Sequence, residues 1–315
     1  MKKVLITGAR GFIGSHLTRI LLNNGYEVVA IYHSNNKNQL SPTEPQLINN
    51  LKIVVGDVTD RLFCNKICEN IDTIFHLAGL GGIPNSFKFP DKYIHTNIIG
   101  TLNICNASLN NNVKRLIYTS TCDVYGDMKY FPTNEEHPLL AKSPYSASKI
   151  GAESVAMSYY HAYKLPLTIV RPFNTYGPGQ SLNAIIPTII NQILSDKKQI
   201  KLGDVSPTRD FSYVTDTCRA LVLLENCKEA IGETVNIGSN IETKILDIFV
   251  LIKKLMQSNV EYITDAAKIR LSGSEISRGW CDNTKIKSLT QYEPRVSLIE
   301  GLQKTIDWYQ RNRIS

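Results

Sequence analysis

The sequence lacks the features that mark membrane proteins and nucleic-acid-binding proteins. No apolar run approaches the ~18 uninterrupted residues that a membrane span needs, and the apolar stretch at residues 4–6 is too short for the core of a signal peptide. The net charge is +7, but like charges form no long run, so no basic arm for nucleic acid is indicated. These absences predict a cytoplasmic protein with neither a membrane partner nor a nucleic-acid partner.

The seven cysteines form no metal-binding set. They are odd in number and irregularly spaced, and Cys64 and Cys68 have no second pair that would complete a zinc site. We therefore expect reduced thiols in the core and no metal. Hydrophobic residues make up 43% of the chain and charged residues 20%, which is typical of a globular protein.

Short β-rich runs alternate with helical patterns through the first half of the chain. Strands are predicted over residues 4–7, 27–32, 51–56, 71–77, 115–119 and 167–171, and helices over residues 14–23, 97–110 and 146–163. Such alternation predicts right-handed crossovers and a doubly wound, parallel α/β sheet of the Rossmann type. The all-apolar runs at residues 4–6 and 73–75 fit strands that are covered on both faces.

The rhythm changes after residue 171, where prolines and glycines become frequent. A strand is predicted over residues 233–237 and helices over residues 245–256 and 298–310. We predict a dinucleotide-binding domain over residues 1–171, to which residues 211–238 return. A smaller α/β substrate-binding lobe is predicted over residues 172–210 and 239–315, packed over the carboxyl ends of the parallel strands.

Three spaced glycines lie between the first predicted strand and the first predicted helix. Gly8 permits a tight turn, Gly11 lets the backbone approach a pyrophosphate, and Gly14 lets the helix pack closely on the strand. The start of the helix, with Phe12 and Ile13, offers free N–H groups and a positive dipole end to the diphosphate. Because these glycines directly follow a strand and open a helix, the sequence predicts a dinucleotide cofactor.

Further cofactor contacts are expected where the next three strands end. The position that commonly carries an acid for the adenosine ribose is Tyr32, so the residues leave NAD and NADP both open. Asp57 and Val58 are expected to meet the adenine. Leu77 and Ala78 are expected to line the cofactor cleft.

A tyrosine and a lysine stand four residues apart at the start of a long predicted helix, so Tyr145 and Lys149 share one helix face. A phenol with a pKa near ~10 is a poor base at neutral pH, but an adjacent ammonium and a positive nicotinamide lower that pKa. Tyr145 is then predicted to take a proton from a substrate hydroxyl while hydride leaves the same carbon. Thr121, just beyond a strand end, is the expected hydroxyl beside the reacting oxygen.

Taken together, these stretches resemble the extended short-chain dehydrogenases/reductases of the NAD-dependent nucleotide-sugar epimerase/dehydratase family, over residues 3 to about 309. The matching segments are residues 7–14, 76–79, 97–101, 120–126, 145–149, 171–178 and 209–216. Residues 83–86, 184–189 and 202–210 are most similar to 4,6-dehydratases that act on UDP- or GDP-linked N-acetylglucosamine-type sugars.

The resemblance implies NAD as cofactor and a nucleotide-sugar as substrate. It implies that Ser86, Asn174, Arg209 and Arg270 contact the substrate. Asn174 and Arg209 would contact its diphosphate or its sugar, and Arg270 would be a second ligand of the diphosphate, whose oxygens guanidinium forks match. It also implies a homodimer formed through the helices at residues 98–109 and 150–163. Their apolar spacing is equally explained by packing on the sheet.

The residues between Thr121 and Asp123 bear on which reaction is catalysed. A 4,6-dehydratase oxidises C4, removes the C5 proton and expels the C6 oxygen as water, and the family typically places Glu and Asp after the threonine for this purpose. Here Asp123 takes the base position and Cys122 the acid position, as a proton donor or as a filler. A carboxylate in a water-poor cleft is costly unless it is used, which favours dehydration. A 4-epimerase, a 5,6-dehydratase and a non-catalytic dinucleotide-binding sensor remain as alternatives.

Overall fold

The structure of the protein is a computed structural model that describes residues 1–33, 49–195, 197–268, 273 and 275–312. These residues form twelve strands and eleven helices. The strands are β1 (Lys3–Thr7), β2 (Glu27–Tyr32), β3 (Leu51–Val55), β4 (Thr73–His76), β5 (Arg115–Thr119), β6 (Leu167–Pro172), β7 (Asn174–Tyr176), β8 (Gln199–Leu202), β9 (Thr208–Tyr213), β10 (Thr234–Ile237), β11 (Glu242–Lys244) and β12 (Glu261–Thr264). The helices are α1 (Phe12–Asn23), α2 (Arg61–Ile67), α3 (Ile83–Lys88), α4 (Pro90–Ile94), α5 (Gly100–Asn110), α6 (Pro144–Tyr163), α7 (Ile185–Leu194), α8 (Val214–Asn226), α9 (Ile245–Leu255), α10 (Thr284–Thr290) and α11 (Leu298–Arg311).

Seven of the strands form one parallel sheet in the order β3-β2-β1-β4-β5-β6-β10. Helices cover both faces, with α1 and α8 packed together on one side and α2, α5 and α6 on the other. Strands β4 and β6 are buried along their whole length, while the edge strand β3 is partly exposed. The predicted Rossmann-type, doubly wound sheet is confirmed, and its central apolar strands are covered as expected.

The second half of the chain contributes to this sheet and also builds smaller ones. Strand β10 pairs with β6 at the edge of the large sheet, and α8 packs on α1. Strands β11, β9 and β7 form a three-stranded sheet, and β12 pairs with β8 in a two-stranded one. The division into two domains stays a prediction, although the return of residues 234–237 to the parallel sheet agrees with it.

The long helix α6 has a strongly defined start. Ser143 caps it, since its hydroxyl accepts from the Ser146 N–H while the Ser146 hydroxyl binds back to the N-cap backbone. Pro144 occupies the first turn, where a missing N–H costs nothing. The helix ends at Lys164 in a left-handed conformation. This start fixes the orientation of the helical turns that follow.

The helix predicted over residues 97–110 differs from the observed structure at its beginning. Residues 95–99 form a π-helical turn, and the regular helix α5 begins at Gly100. At Gly100 the helix approaches Val58 so closely that a Cβ would lie 2.8 Å from its Cγ2. The Asn97 side chain in the turn binds both backbone groups of Leu80. The apolar spacing carries no sign of this local change of pitch.

Within the described residues, no helix combines the length and the apolar character that crossing a bilayer requires. The seven cysteines are all buried and free. The prediction of reduced core thiols is therefore confirmed.

Candidate active site

The turn after β1 is shaped by close backbone contacts that only glycine permits. Gly8 has φ +66°, and a Cβ there would lie 2.8 Å from the Ala78 N and 2.9 Å from the Leu77 carbonyl carbon. A Cβ at Gly14 would lie 2.3 Å from the Gly8 O. The turn is thus pressed against the segment that follows β4, which is the predicted lining of the cofactor cleft.

Gly11 is the N-cap of α1, in extended conformation and without a side-chain cap. The first-turn N–H groups, those of Phe12 and Ile13 among them, are therefore left without intrahelical partners. A helix terminus of this kind binds a diphosphate through its N–H groups and dipole.

Two buried hydroxyls lie where β5 ends, and their oxygens have no hydrogen-bond partner within the described structure. These are Thr119 Oγ1 and Ser120 Oγ. Buried hydroxyls are normally satisfied, so their positions fit a site that is completed by a polar ligand. Together with the glycine turn and the uncapped helix, they show that the residues present suit a dinucleotide.

The residues predicted to meet the adenosine lie at the ends of β2 and β3. Asp57 is partly exposed, and its carboxylate lies 3.4 Å from His33 Nε2 and accepts from the Thr59 N–H at 2.8 Å. Val58 is buried. Tyr32, which ends β2, lies within electrostatic reach of Arg10, so the last residue of this strand is a phenol beside a positive charge and not a carboxylate.

A buried histidine holds the β4 end of the cleft together. His76 Nδ1 lies 2.7 Å from the Thr7 hydroxyl oxygen, and its Nε2 lies 3.1 Å from that of Thr101. The Thr7 hydroxyl also accepts from the Ala78 N–H at 3.0 Å. Burial, with a smaller contribution from the charge of Lys149, lowers the pKa of His76 to about 3, so the imidazole is neutral at physiological pH.

Lys149 projects into the cleft at the carboxyl ends of β4 and β5. Its Nζ donates to the Thr119 O at 2.6 Å and lies 4.6 Å from the centre of the Tyr118 ring. It also lies 3.9 Å from the point that a Cβ of Gly79 would occupy. The side chain is buried, and burial lowers the pKa of Lys149 to about 8 against the opposing charge of Glu153.

Tyr145 stands one turn before Lys149 and faces the short 3-10 turn at residues 122–125. Its phenol hydrogen-bonds the Thr121 side chain and lies within electrostatic reach of Asp123. Burial and the Asp123 charge raise the pKa of Tyr145, opposite to the direction expected from its lysine neighbour. The reason is that burial, the larger effect, disfavours the charged phenolate and that the nearby Asp123 carboxylate repels it.

Thr121 connects the tyrosine to the turn that carries Asp123. Its Oγ1 caps the 3-10 turn by accepting from the Asp123 N–H at 3.2 Å. Asp123 itself is partly exposed. The structure therefore brings the predicted tyrosine, lysine, threonine and aspartate together at one end of the parallel sheet.

Cys122 points into a small apolar cluster with Val124, Tyr125, Phe173 and Cys281. It is 8% exposed, and burial, followed by the charge of Asp123, raises the pKa of its thiol. Of the two roles expected for this residue, packing is favoured over proton donation.

The residues predicted to bind the substrate differ in their exposure and in their hydrogen-bond partners. Asn174 is exposed at the start of β7. Arg209 donates to the Thr208 O at 2.7 Å and to Glu275 Oε1 at 2.6 Å. Ser86 is fully buried in α3, and its hydroxyl donates to the Ile83 O at 2.7 Å. Arg270 lies outside the described residues. Because the Ser86 hydroxyl is buried and bonded within its own helix, the structure does not expose it to a ligand, and its role in substrate binding stays a prediction.

Two residues that organise the site have no role predicted from the sequence: Tyr93, and Asn97, which is part of the matching segment 97–101. Tyr93 packs edge-on against Tyr145 with ring centres 6.1 Å apart, and its hydroxyl donates to the carbonyls of Gly81 and Gly82. Asn97 donates to the Ser148 hydroxyl at 2.8 Å. These contacts join segments that are distant in sequence, so no local pattern announces them. In the described part of the chain, no three His, Cys, Asp or Glu side chains converge as they would around a metal.

A family model described as GDP-mannose 4,6 dehydratase matches residues 5–305. A trifunctional UDP-glucose 4,6-dehydratase/UDP-4-keto-6-deoxy-D-glucose 3,5-epimerase/UDP-4-keto-L-rhamnose-reductase of Arabidopsis thaliana is 33% identical over 320 residues. That match covers 99% of this chain and 47% of the plant protein, so the chain spans about half of that relative's length.

Two solved structures are similar over nearly their whole length. DesIV, a dTDP-glucose 4,6-dehydratase from Streptomyces venezuelae with NAD bound, matches with a TM-score of 0.88 and 29% identity, covering 99% of this chain and 98% of that one. A UDP-glucuronic acid 4-epimerase from Bacillus cereus, in complex with UDP-glucuronic acid and NAD, matches with a TM-score of 0.88 and 31% identity, covering 98% and 99%.

Proposed function

The chain belongs to the NAD-dependent epimerase/dehydratase family of nucleotide-sugar enzymes, and we propose that it is a nucleotide-sugar 4,6-dehydratase. The observation that carries this proposal is the position of Asp123, whose carboxylate lies within electrostatic reach of the Tyr145 phenol in the cleft. A 4-epimerase moves a proton and a hydride at C4 alone and needs no carboxylate at this point. Elimination across C5 and C6 needs one.

NAD is the cofactor that the cleft is proposed to hold. The N–H groups at the start of α1 would bind its diphosphate, Asp57 and Val58 would contact its adenosine, and Leu77 and Ala78 would line the cleft that receives it. NAD supplies the acceptor of the C4 hydride and the donor of the hydride that returns to C6. The hydroxyls of Thr119 and Ser120 and the Lys149 ammonium provide polar partners at the other end.

In the first step Tyr145 accepts the proton of the C4 hydroxyl. Its hydrogen bond to Thr121 holds the phenol, and the same threonine hydroxyl is proposed to bind the reacting oxygen. The protonated Lys149 stabilises the phenolate by its charge. Because burial and Asp123 raise the pKa of Tyr145, we infer that deprotonation follows only when bound ligands add positive charge to the cleft.

In the second step Asp123 removes the proton at C5, which the C4 ketone has made acidic. The C6–O bond then breaks, and the same proton leaves Asp123 with the C6 hydroxyl as water, so a single carboxyl group serves as base and acid. Cys122 is not needed as the acid, because its thiol is buried in the apolar cluster and its pKa is raised. The C5–H and C6–O bonds break and the C5–C6 double bond forms. That bond becomes single again when C6 takes up the hydride that NAD would carry and C5 takes a solvent proton delivered through Asp123.

A nucleotide-sugar 4-epimerase is the second candidate. It is favoured by the similarity to the Bacillus cereus 4-epimerase, whose TM-score equals that of the Streptomyces venezuelae dehydratase. The burial of Cys122, which occupies the acid position of the family pattern, also suits it, because a 4-epimerase needs no such acid.

Three finer features belong to the same proposal. The substrate is proposed to be a nucleotide-linked N-acetylhexosamine, on the resemblance of residues 83–86, 184–189 and 202–210, with Arg209 at its diphosphate. A homodimer through α5 and α6 is proposed on the resemblance to the family alone. A cytoplasmic location rests on the sequence pattern alone.

The test is incubation of the protein and NAD with a panel of nucleotide-sugars in deuterated water, followed by mass spectrometry. A 4,6-dehydratase yields a product lighter by one water and carrying deuterium at C5. An unchanged mass with altered chromatography indicates the 4-epimerase, an exocyclic alkene indicates a 5,6-dehydratase, and no change with any donor indicates a sensor. Asp123→Asn is expected to abolish solvent exchange at C5 while NAD binding persists; exchange at the parent rate refutes the role of Asp123.

A further inference from the structure

A buried ion pair lies one helical turn beyond the catalytic lysine. Glu153 follows Lys149 by four residues on α6, so both side chains stand on the same face of the helix. The Glu153 carboxylate accepts from Arg171 Nε at 3.0 Å and from Nη2 at 2.6 Å, in the bidentate arrangement. Both residues are at most 5% exposed. Burying two charges has a desolvation cost, so the presence of this ion pair is only weak evidence that it stabilises the fold.

Arg171 extends the pair to the turn that carries Asp123. Its Nη1 donates to the Tyr125 hydroxyl at 3.0 Å, and its guanidinium lies 4.9 Å from the centre of the Tyr125 ring. The Tyr125 hydroxyl in turn donates to Asn236 Oδ1 at 2.6 Å. One guanidinium thus joins the helix of Tyr145 and Lys149, the turn of Asp123, and strands β6 and β10.

We propose that Glu153 is a positioning residue of the catalytic pair, whose carboxylate keeps Lys149 in its charged form while its ion pair with Arg171 fixes α6 against the Asp123 turn. This inference rests on the proposed function for its catalytic meaning. The charge that Lys149 carries is a property of the folded protein and is measurable without turnover.

The charged groups around Lys149 support this role. The titratable groups that face it are Glu153 and, one turn away, Tyr145 on its own helix, Tyr118 on β5, and His76 on β4, and of these only Glu153 is charged at neutral pH. Among these, Glu153 opposes the burial that lowers the pKa of Lys149 to about 8. Arg171 binds the same carboxylate. Without the Glu153 charge, the cost of burying the charged lysine is no longer opposed by this carboxylate.

The test compares Glu153→Gln, which removes the charge, with Glu153→Asp, which keeps it on a shorter side chain. The titration of Lys149 is followed by NMR of protein labelled with ¹³C at the lysine ε-carbons, with the Lys149 resonance assigned from its loss in Lys149→Met. We expect Glu153→Gln to lower the Lys149 midpoint by about one pH unit and Glu153→Asp to restore it. Glu300→Gln, the same change in an exposed pair with Lys304, is the matched control and leaves the midpoint unchanged.

Turnover gives the second readout. With a parent midpoint of about 8, a shift of about one unit reduces the charged fraction at pH 7.5 roughly threefold. The basic limb of the kcat profile is expected to move to lower pH by the same amount in Glu153→Gln, with little loss at pH 6. If Glu153→Gln does not fold, the variant Glu153→Gln with Arg171→Gln, which leaves no unpaired guanidinium, is titrated in its place. Its Lys149 midpoint is expected to lie below that of the parent by less than one pH unit, because a positive charge is removed with the negative one.

A Lys149 midpoint in the folded Glu153→Gln protein that matches the parent overturns the proposal. Equal shifts in the Gln and Asp variants also overturn it, because they would show an effect of geometry without charge. If no nucleotide-sugar is converted by the parent protein, the proposed function fails, and the NMR titration still decides the role of Glu153.

Discussion

Replacing Gly8 by alanine tests whether the turn after β1 is built for close approach or only for its backbone angle. Gly8 and Gly25 both adopt positive φ, +66° and +78°, so both substitutions force a side chain into a left-handed conformation. The two positions differ in the space that is available for a Cβ atom. A Cβ at Gly8 meets backbone atoms of Leu77 and Ala78 at 2.8 to 2.9 Å, whereas at Gly25 nothing lies within 4 Å.

The expected magnitudes follow from that difference. The left-handed conformation costs about 1 kcal/mol for an L-residue with a Cβ, so Gly25→Ala should lower the free energy of unfolding by about that amount. At Gly8 the clash is with backbone, which cannot rotate away, and overpacking adds about 1–3 kcal/mol. The turn must also move away from Ala78. We expect Gly8→Ala to weaken NAD binding at least about tenfold, equivalent to about 1.4 kcal/mol.

The assay is urea unfolding of both variants, followed by titration of each folded protein with NAD in a calorimeter. Gly25→Ala is expected to bind NAD like the parent protein. If Gly8→Ala also binds like the parent, or loses no more stability than Gly25→Ala, the contact with Leu77 and Ala78 does not shape the cofactor site. The reasoning would then be refuted.

Two further predictions follow from buried groups. Cys122→Ala should retain kcat within about threefold, because the substitution removes a packing side chain and not an acid. A loss of about a hundredfold, the range of general acid catalysis, would indicate that Cys122 is the proton donor. His76 has a folded pKa of about 3, below its unfolded value of 6.5, so the stability it contributes is present above pH 6.5 and is lost as the pH falls towards 3. Between pH 7.5 and 5 this loss amounts to about 2 kcal/mol in urea unfolding, and His76→Gln should remove most of it; an equal acid sensitivity in that variant would contradict the assignment.

The parts of the site that depend on local spacing were predictable. The glycine turn is a strand–turn–helix pattern within eight residues, and Tyr145 and Lys149 are one helical turn apart. Both are confirmed in position because neighbours in sequence fix them. The doubly wound sheet followed from the alternation of apolar runs for the same reason.

The parts that depend on tertiary contacts were not predictable. Arg171 was noted only as part of a matching segment, and its partners Glu153 and Tyr125 lie 18 and 46 residues away. The raised pKa of Tyr145 arises from burial and from Asp123 across the cleft. The π-helical turn at residues 95–99 keeps the apolar spacing of an ordinary helix, so periodicity does not reveal it.

The position of β10 has a consequence for how the chain is made. Strand β6 pairs with β5 on one side and with β10 on the other, and β10 is contributed only by residues 234–237. While the ribosome is still adding the intervening segment, β6 is an open edge whose unpaired N–H and C=O groups are a template for pairing with other chains. The nascent half-sheet is therefore aggregation-prone until β10 has emerged, and its release as a separate fragment would leave that edge uncovered.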